Sequence, residues 1–401
     1  MKYFFVLGNN PALSAAEIIA VLGNEGQARL LAGNILVLEN PATDTLKLIK
    51  RLGGTIKIGA IVVEVSRHDN EKIKEAILKI IDEDREEKGE AGKYCFGISH
   101  YGKSNLPVFP IGLSVKKILK ENGVSCRLVT SKEKTLSSVV VEQNKLTRQG
   151  IEIVLIEEAN TLYLGYTEAV QPFKELSFRD FGRPERDDKS GMIPPKLAQI
   201  MLNLSGKISE GSVILDPFCG SGTILMEAAL MGVKKIFGSD ISEKAISDTK
   251  INFNWLGEKI PNLQSQISNL KLFNISADQI SSKINVSSID AIITEPYLGP
   301  QRGNPDPVKT KIELEKLYSS TLNDFKKILK SDGRVVMIFP VRAEGERPDF
   351  HFLNPNLDGW QVINPLPENL QSILHTTRRG TIVYGRAGQK VWREIVVLKK
   401  K

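Results

Sequence analysis

The chain has 401 residues, and its 54 Lys and Arg against 47 Asp and Glu give a net charge of +7. A hydrophobic share of 41% and a charged share of 25% exclude a mainly disordered or low-complexity chain and suit two or three cored domains. No apolar run approaches the roughly 18–20 residues of a membrane span, and the start MKYFFVLGNN is too short an apolar stretch for a secretory signal. Cys95, Cys126 and Cys219 are too few and too widely spaced for a disulfide framework or a metal clip, so the expected home is the reducing cytosol.

Tyr3–Leu7 is a short apolar run of strand type, and Leu13–Leu22 has helical spacing through Leu13, Ala16, Ile19 and Ala20. Ala28–Leu31 and Ile35–Leu38 flank a Gly33-Asn34 turn signal. Asp44–Leu52 is again helical, and Ile56–Val65 is a long β-branched run. This β-α-β-β-α-β order predicts a ferredoxin-like unit. Asn70–Glu87 is an amphipathic helix with Ile73, Ile77 and Ile80 on one face, and the acidic run Asp82–Glu90 reads as its exposed end.

Next come a strand at Tyr94–Ser99, a helix at Ile111–Lys120, a strand at Val124–Val129, and three further strands at Ser138–Val141, Ile151–Ile156 and Leu162–Tyr166. The charge surplus sits here. Residues 93–150 hold ten Lys and Arg against three acids, so the rest of the chain sums to zero. A basic zone on a balanced chain is either a surface for a polyanion or a solvated face. Gln171–Gly191 is polar, carries two Pro and has no clean period, which predicts an interdomain linker. Within it, Arg179, Asp180 and Arg183 either orient the flanking modules or form a solvated ion-pair patch.

From Met192 onward short apolar strands alternate with helices. Helices are expected at Lys196–Leu204, Thr223–Met231, Glu243–Trp255 and Val308–Leu329, and strands at Val213–Leu215, Ile236–Ser239, Leu270–Phe273, Ile289–Ile293 and Val335–Phe339. Ile382–Tyr384 and Ile395–Leu398 should pair across Gly385–Gly388. The pattern predicts a doubly wound parallel α/β sheet closed by antiparallel strands at its edge.

The sharpest local signal is VILDPFCGSG, Val213–Gly222, running into the helix from Thr223. A buried strand delivers Asp216, Phe218 follows, and Gly220 and Gly222 allow backbone to approach a ligand closely. A P-loop would need Gly-Lys-Ser/Thr, but Thr223-Ile224 follow Gly222; a dinucleotide fingerprint would want a third Gly where Leu225 stands. An acid ahead of the glycines suits the α-ammonium of S-adenosylmethionine. Asp240, at the tip of the next strand, suits the hydroxyls of an adenosine ribose or a helix cap. Asp278, after the third strand, suits the adenine amino group or, again, a cap.

The fourth strand leads into Thr294-Glu295-Pro296-Tyr297. This turn resembles the Asp/Asn/Ser-Pro-Pro-aromatic motif of amino-group methyltransferases. The segments RDFGRPERDD, GMIPPKLAQIMLNL, LDPFCGSGTILMEAALMG, GSDIS and YGRAGQKVWREI, with LKENGVSCRLV and LSSVVVEQNKL upstream, resemble the THUMP-domain tRNA guanosine N2-methyltransferases. The resemblance implies a Rossmann-like class I methyltransferase sheet at 192–401. A ferredoxin-like unit at 1–90, a THUMP α+β domain at 91–168 and a linker at 169–191 would precede it. It also implies S-adenosylmethionine as cofactor, tRNA as substrate and the exocyclic N2 of guanine-10 as target; the expected state is a monomer, and a small activator protein is a further expected partner where the turn departs from the motif.

A guanine amine is a poor nucleophile because its lone pair is delocalised into the ring, so acceptors on its N–H bonds must aim that lone pair at the sulfonium methyl. Tyr297 can stack on a base flipped out of its helix. The sequence departs from the motif at its head, where Thr294 and Glu295 replace the acid and the first Pro, so the carboxylate is expected from Glu295. The other reading of that departure is a degenerate site that binds donor and RNA without turnover. A DNA adenine or cytosine amino-methyltransferase shares the glycine loop and turn; the basic N-terminal module argues for RNA. Cytosine-C5 chemistry needs a Pro-Cys, and Cys219 is expected only to pack inside the glycine loop. Lys116, Lys117, Lys120, Arg127, Lys132 and Lys134 are the expected contacts to phosphate and 2′-hydroxyl groups, and the resemblance directs them to the 3′ acceptor end of tRNA.

Overall fold

The computed structural model describes all residues except 24–27, 40–43, 90–91, 187–191, 207, 301–305, 345–348, 387 and 390. The expected boundary at 90–91 and the end of the expected linker therefore lie outside the described residues. The chain divides into two compact units, Met1–Pro11 with Asn24–Pro172, and Ala12–Gly23 with Phe173–Lys401.

The N-terminal chain runs through β1 (Lys2–Leu7), α1 (Pro11–Leu22), β2 (Arg29–Leu31), β3 (Ile35–Glu39), α2 (Thr45–Arg51), β4 (Thr55–Ser66) and α3 (Asn70–Lys88). It continues through β5 (Tyr94–Tyr101), α4 (Val108–Glu121), β6 (Cys126–Val129), α5 (Ser138–Gln143), β7 (Gly150–Glu158) and β8 (Thr161–Val170). The strand order is β2-β3-β1-β4-β8-β7-β5-β6. Its first four strands, antiparallel at every step, have the ferredoxin-like arrangement expected from their sequence order. The sheet does not stop there. β4 pairs with β8 from Lys57–Val170 to Ser66–Thr161, so the two predicted N-terminal pieces share one sheet. The segment Ala12–Gly23, which holds all of α1 but Pro11, belongs to the second unit instead, where its buried Glu17 accepts from Asn203 Nδ2 at 2.8 Å.

Strands β5, β6 and β7 are parallel, with β5 in the middle. The chain steps from β5 to β6 through α4, then back past β5 to β7 through α5. Right-handed crossovers in opposite directions put α4 and α5 on opposite faces of the sheet. The predicted strand at Ser138–Val141 is thus a helix. Ser137 caps it through Val140 N at 3.3 Å, and Val141 turns inward, so capping and packing override the preference of a valine run for a strand. Ile73, Ile77 and Ile80 of α3 lie buried against β5, β7 and α4. Burying side chains of this size contributes roughly 1.5–3 kcal/mol each. The acidic end of α3 is not wholly solvated, because Asp84 accepts from Tyr94 Oη and Lys88 Nζ, both at 2.6 Å.

A polar network lies inside this sheet. Lys57 (1% exposed) and Glu152 (0%) form an ion pair at 2.5 Å. Glu152 also accepts from Ser99 Oγ at 2.5 Å and Thr167 Oγ1 at 2.6 Å. Leu136 closes the network, its carbonyl accepting from Lys57 Nζ at 2.6 Å and its N–H donating to Ser99 Oγ at 2.8 Å. Four strands and the loop before α5 are tied together without leaving either charge alone.

The second unit contains α6 (Phe173–Phe181), α7 (Pro195–Leu204), β9 (Val213–Asp216), α8 (Thr223–Leu230), β10 (Lys235–Asp240), α9 (Glu243–Lys259), α10 (Gln264–Ser268) and β11 (Leu270–Asn274). It continues with β12 (Ile289–Thr294), α11 (Pro307–Ile328), β13 (Leu329–Glu344), β14 (Asp349–Phe352), β15 (Trp360–Ile363), α12 (Glu368–Gln371), β16 (Ile382–Tyr384) and β17 (Val391–Lys400). The order is β11-β10-β9-β12-β13-β17-β15, parallel through β13 and antiparallel at β17. β16 pairs with β17 as expected, Ile382 opposite Ile395. The apolar core over β12 and β13 includes Tyr318, Leu322 and Phe325 of α11 with Phe339 and Trp360.

The predicted linker is partly helix. β8 runs to Val170 and α6 occupies Phe173–Phe181, with Arg179 buried and bidentate on Glu227 of α8 at 2.7 and 3.1 Å. Its buried positions are Leu176 and Arg179, one of them charged, which is why no apolar period marks it. Among the described residues no helix is long and apolar enough to cross a membrane.

Candidate active site

The strand order reverses direction at β9, so a crevice opens beyond the carboxyl ends of β9 and β12. Val213–Leu215 carry Asp216 to that edge, where it is 2% exposed. Thr294, at the same end of β12, donates its Oγ1 proton to Asp216 Oδ1 at 2.7 Å, and Phe218 N donates to the same oxygen at 3.1 Å. Burial outweighs both bonds and pushes the Asp216 carboxyl up to about 7. This carboxyl is neutral or charged at little cost near neutral pH, which suits a group that receives a cation.

Beyond Asp216 the chain turns through Gly220 (φ +52°) and Gly222 (φ +87°), left-handed conformations that favour glycine. A Cβ at Gly222 would stand 2.9 Å from Thr249 Cγ2, whereas a Cβ at Gly220 would point into open space. The loop therefore packs on α9 through Gly222 and leaves room for a ligand over Gly220. Thr249 Oγ1 donates to Gly220 O at 2.7 Å, and Asn252 Nδ2 donates to Ser221 O at 2.8 Å. Cys219 is buried in the loop, its thiol pushed well up by burial, and its N–H donates to Ser239 O at 2.9 Å.

Asp240, at the end of β10, accepts from Gly220 N at 3.0 Å and from Ser242 N at 2.9 Å. Ser242, not Asp240, caps α9, accepting from Ala245 N. Asp278 lies in the first turn of a 3-10 helix over Ala277–Ser282 and accepts from Ser276 Oγ at 2.6 Å. Direct bonds thus tie Asp216 to Phe218 and Thr294, and Asp240 to Gly220, while Asp278 follows the neighbouring strand. The segment after α6 walls the site: Arg183 Nη1 donates to Thr223 Oγ1 at 2.5 Å, and Glu185 N donates to Asn252 Oδ1 at 3.0 Å. Arg179 and Arg183 form buried contacts within this unit rather than a solvated patch.

Thr294, at the head of the turn, is fully buried and donates its hydroxyl proton to Asp216. Glu295 follows, and its Oε1 lies 2.5 Å from Arg393 Nε. Pro296 stiffens the next step. Tyr297 exposes 57% of its surface, and its carbonyl accepts from the buried Tyr318 Oη at 3.0 Å.

The basic residues do not form one cluster. Lys116, Lys117 and Lys120 project from α4, and Lys117 faces Glu121 at 3.8 Å. Arg127 is on β6, where alternation sends Cys126 and Leu128 toward α4 and Arg127 to the opposite face, onto Asn144 Oδ1 at 2.5 Å. Lys132 and Lys134 lie in the loop after β6; Lys134 Nζ donates to Ser104 O at 2.9 Å and so joins two loops.

The open backbone over Gly220 and the acids Asp216, Asp240 and Asp278 at the ends of three neighbouring parallel strands fit a ligand that, like S-adenosylmethionine, carries a cationic group, hydroxyls and an amine. Thr249, Asn252, Tyr318 and Arg393 were not legible beforehand, since each acts from an element whose own spacing marks nothing; Arg183 was singled out in the sequence, but not as part of this site.

Residues 183–347 match the UPF0020 family, described as "RMKL-like, methyltransferase domain". The tRNA (guanine(10)-N2)-dimethyltransferase of Methanocaldococcus jannaschii is 30% identical over 201 residues, 50% of this chain and 52% of that protein. The match thus spans about half the length of that relative. A protein of Methanothermococcus thermolithotrophicus named "Probable tRNA (guanine(10)-N2)-dimethyltransferase" is 35% identical over 144 residues, 35% of this chain and 77% of that protein. TrmN from Thermus thermophilus shares the fold at a TM-score of 0.53 and 17% identity, with 100% of both chains covered. Glycine loop, strand order and these matches agree: the chain belongs to the family of tRNA guanine-N2 methyltransferases.

Proposed function

We propose that the protein transfers a methyl group from S-adenosylmethionine to the exocyclic N2 amine of a guanosine in tRNA, guanine-10 being the target. One observation carries the reading. A buried carboxyl suited to a cation, Asp216, and a carboxylate suited to an amine, Glu295, stand at the carboxyl ends of adjacent parallel strands. The donor supplies an electrophilic sulfonium methyl. Asp216, Asp240 and Asp278 hold it, Glu295 and the turn carbonyls accept from the guanine N–H groups, and Tyr297 stacks on the flipped base. The first unit holds the tRNA by its backbone, and the work is done in the cytosol.

The test is incubation of the purified chain with labelled donor and undermodified bulk tRNA, followed by nucleoside analysis. N2-methylguanosine, or the dimethylated nucleoside that the archaeal relatives' names specify, is the expected product. Methylated adenine or cytosine from a DNA substrate, with none from tRNA, would overturn the reading. Product formed only after a small activator protein is added would define a two-subunit enzyme.

A further inference from the structure

Glu295 is held by a residue of the last strand. Its side chain is 12% exposed and that of Arg393 15%, with Nε and Oε1 2.5 Å apart. Arg393 is fixed in register between two neighbours, opposite Pro340 on β13 and Tyr384 on β16. The next residue, Glu394, is fully buried on the other face of β17 and takes a bidentate pair from Arg379 at 2.7 and 2.6 Å. β17 is thus anchored by charge on both faces at the point where it meets the turn.

We infer that Arg393 is a positioning residue for the proposed reaction: by holding Oε1 of Glu295 it leaves the rest of the carboxylate facing the substrate amine. The inference rests on the function proposed above. Glutamate carries one more methylene, and one more rotor, than the aspartate of the motif this turn resembles. Unheld, its carboxylate would sample several rotamers. Held by one charge-assisted bond from a guanidinium that is itself mostly buried, it is confined to the rotamers that keep Oε1 on Nε. Tyr318, bonded to the Tyr297 carbonyl, braces the other end of the same turn.

The test compares wild type with Arg393→Gln, Arg393→Lys, Glu295→Gln and the Arg393→Gln/Glu295→Gln pair in methylation kinetics. The demethylated donor product is titrated calorimetrically in parallel. Arg393→Gln is expected to lower kcat by about 10–100-fold, with KM for tRNA and the calorimetric Kd within about threefold of wild type. Arg393→Lys, which keeps the charge but not the planar fork, should fall between the two. In the Glu295→Gln background, Arg393→Gln should cost less than about twofold more, because the two act as a unit. Wild-type kcat in both Arg393 variants, a parallel loss of donor affinity, or full additivity in the pair would each overturn the inference. If thermal melting finds the Gln variant unfolded, the Lys variant decides alone: unchanged kcat overturns the inference, and lowered kcat at unchanged KM supports it. A wild-type chain that forms no methylated guanosine defeats the proposed reaction instead, which separates the two failures.

Discussion

The donor site and the basic zone obey opposite rules. At the donor site, residues far apart in sequence meet: Asp216, Asp240 and Thr294 are joined through two direct bonds to the glycine loop and one between strands. In the basic zone, residues close in sequence part company, Lys120 on α4 and Arg127 on the far face of β6. The reason is topological. A parallel sheet brings every strand's carboxyl end to one edge, so acids at strand ends converge wherever they fall in the chain. A step to one side of β5 followed by a step back past it sends consecutive crossovers to opposite faces, so a run of charges is divided.

The largest expected effect tests whether the two regions stand apart energetically. Lys57→Met leaves Glu152 buried without its counter-ion and should cost about 3–5 kcal/mol of first-unit stability. It should also loosen the loop carrying Lys132 and Lys134, which Leu136 anchors to that network. Differential scanning calorimetry should find the first unit's transition lowered, with calorimetric donor affinity unchanged; a matching loss of donor binding would join the regions.

Asp216→Asn probes the other side. Burial lifts the Asp216 carboxyl from 3.8 to about 7, so between those values the folded chain keeps a proton that the unfolded chain has released. Its contribution to stability therefore falls as pH rises from about 4 to about 7. The variant should melt higher than wild type at pH 8, by about 1–3 kcal/mol, while donor affinity drops about 30–1000-fold. In wild type, donor affinity should rise from pH 6 to pH 8 with release of a proton, measured as buffer-dependent heat. A flat profile would mean that the carboxyl is already ionised.

The smallest effect sharpens the division within the basic zone. Changing Lys116, Lys117 and Lys120 to Glu should weaken tRNA binding about 10–50-fold and flatten its salt dependence. Arg127→Glu, on the other face, should change binding by less than about threefold. Equal losses would show that both faces meet the nucleic acid.

Much of the second unit was legible because its signals are local. The glycine loop, the acids at strand ends and the strand–helix alternation are written in short windows whose geometry the backbone dictates. Elements whose partners are distant were not legible. α6 hides its buried face behind Arg179, whose partner Glu227 lies 48 residues on, and α5 presents a valine run that a serine cap and packing turn into a helix. The role of Thr294 likewise depends on where β9 and β12 meet, which no window around Thr294 contains.

By itself the amino-acid sequence determined the pieces on offer: two folding patterns, a glycine loop, a Thr-Glu-Pro-Tyr turn and a basic zone, each set by conformational preferences over a few residues. Tertiary structure alone decided the assignments. It gave the support of Asp216 to Thr294, brought Arg393 to Glu295, and split the basic residues between two faces. A side chain's role depends on what lies within a few ångströms of it, and strand pairing and crossover handedness bring those neighbours from anywhere in the chain.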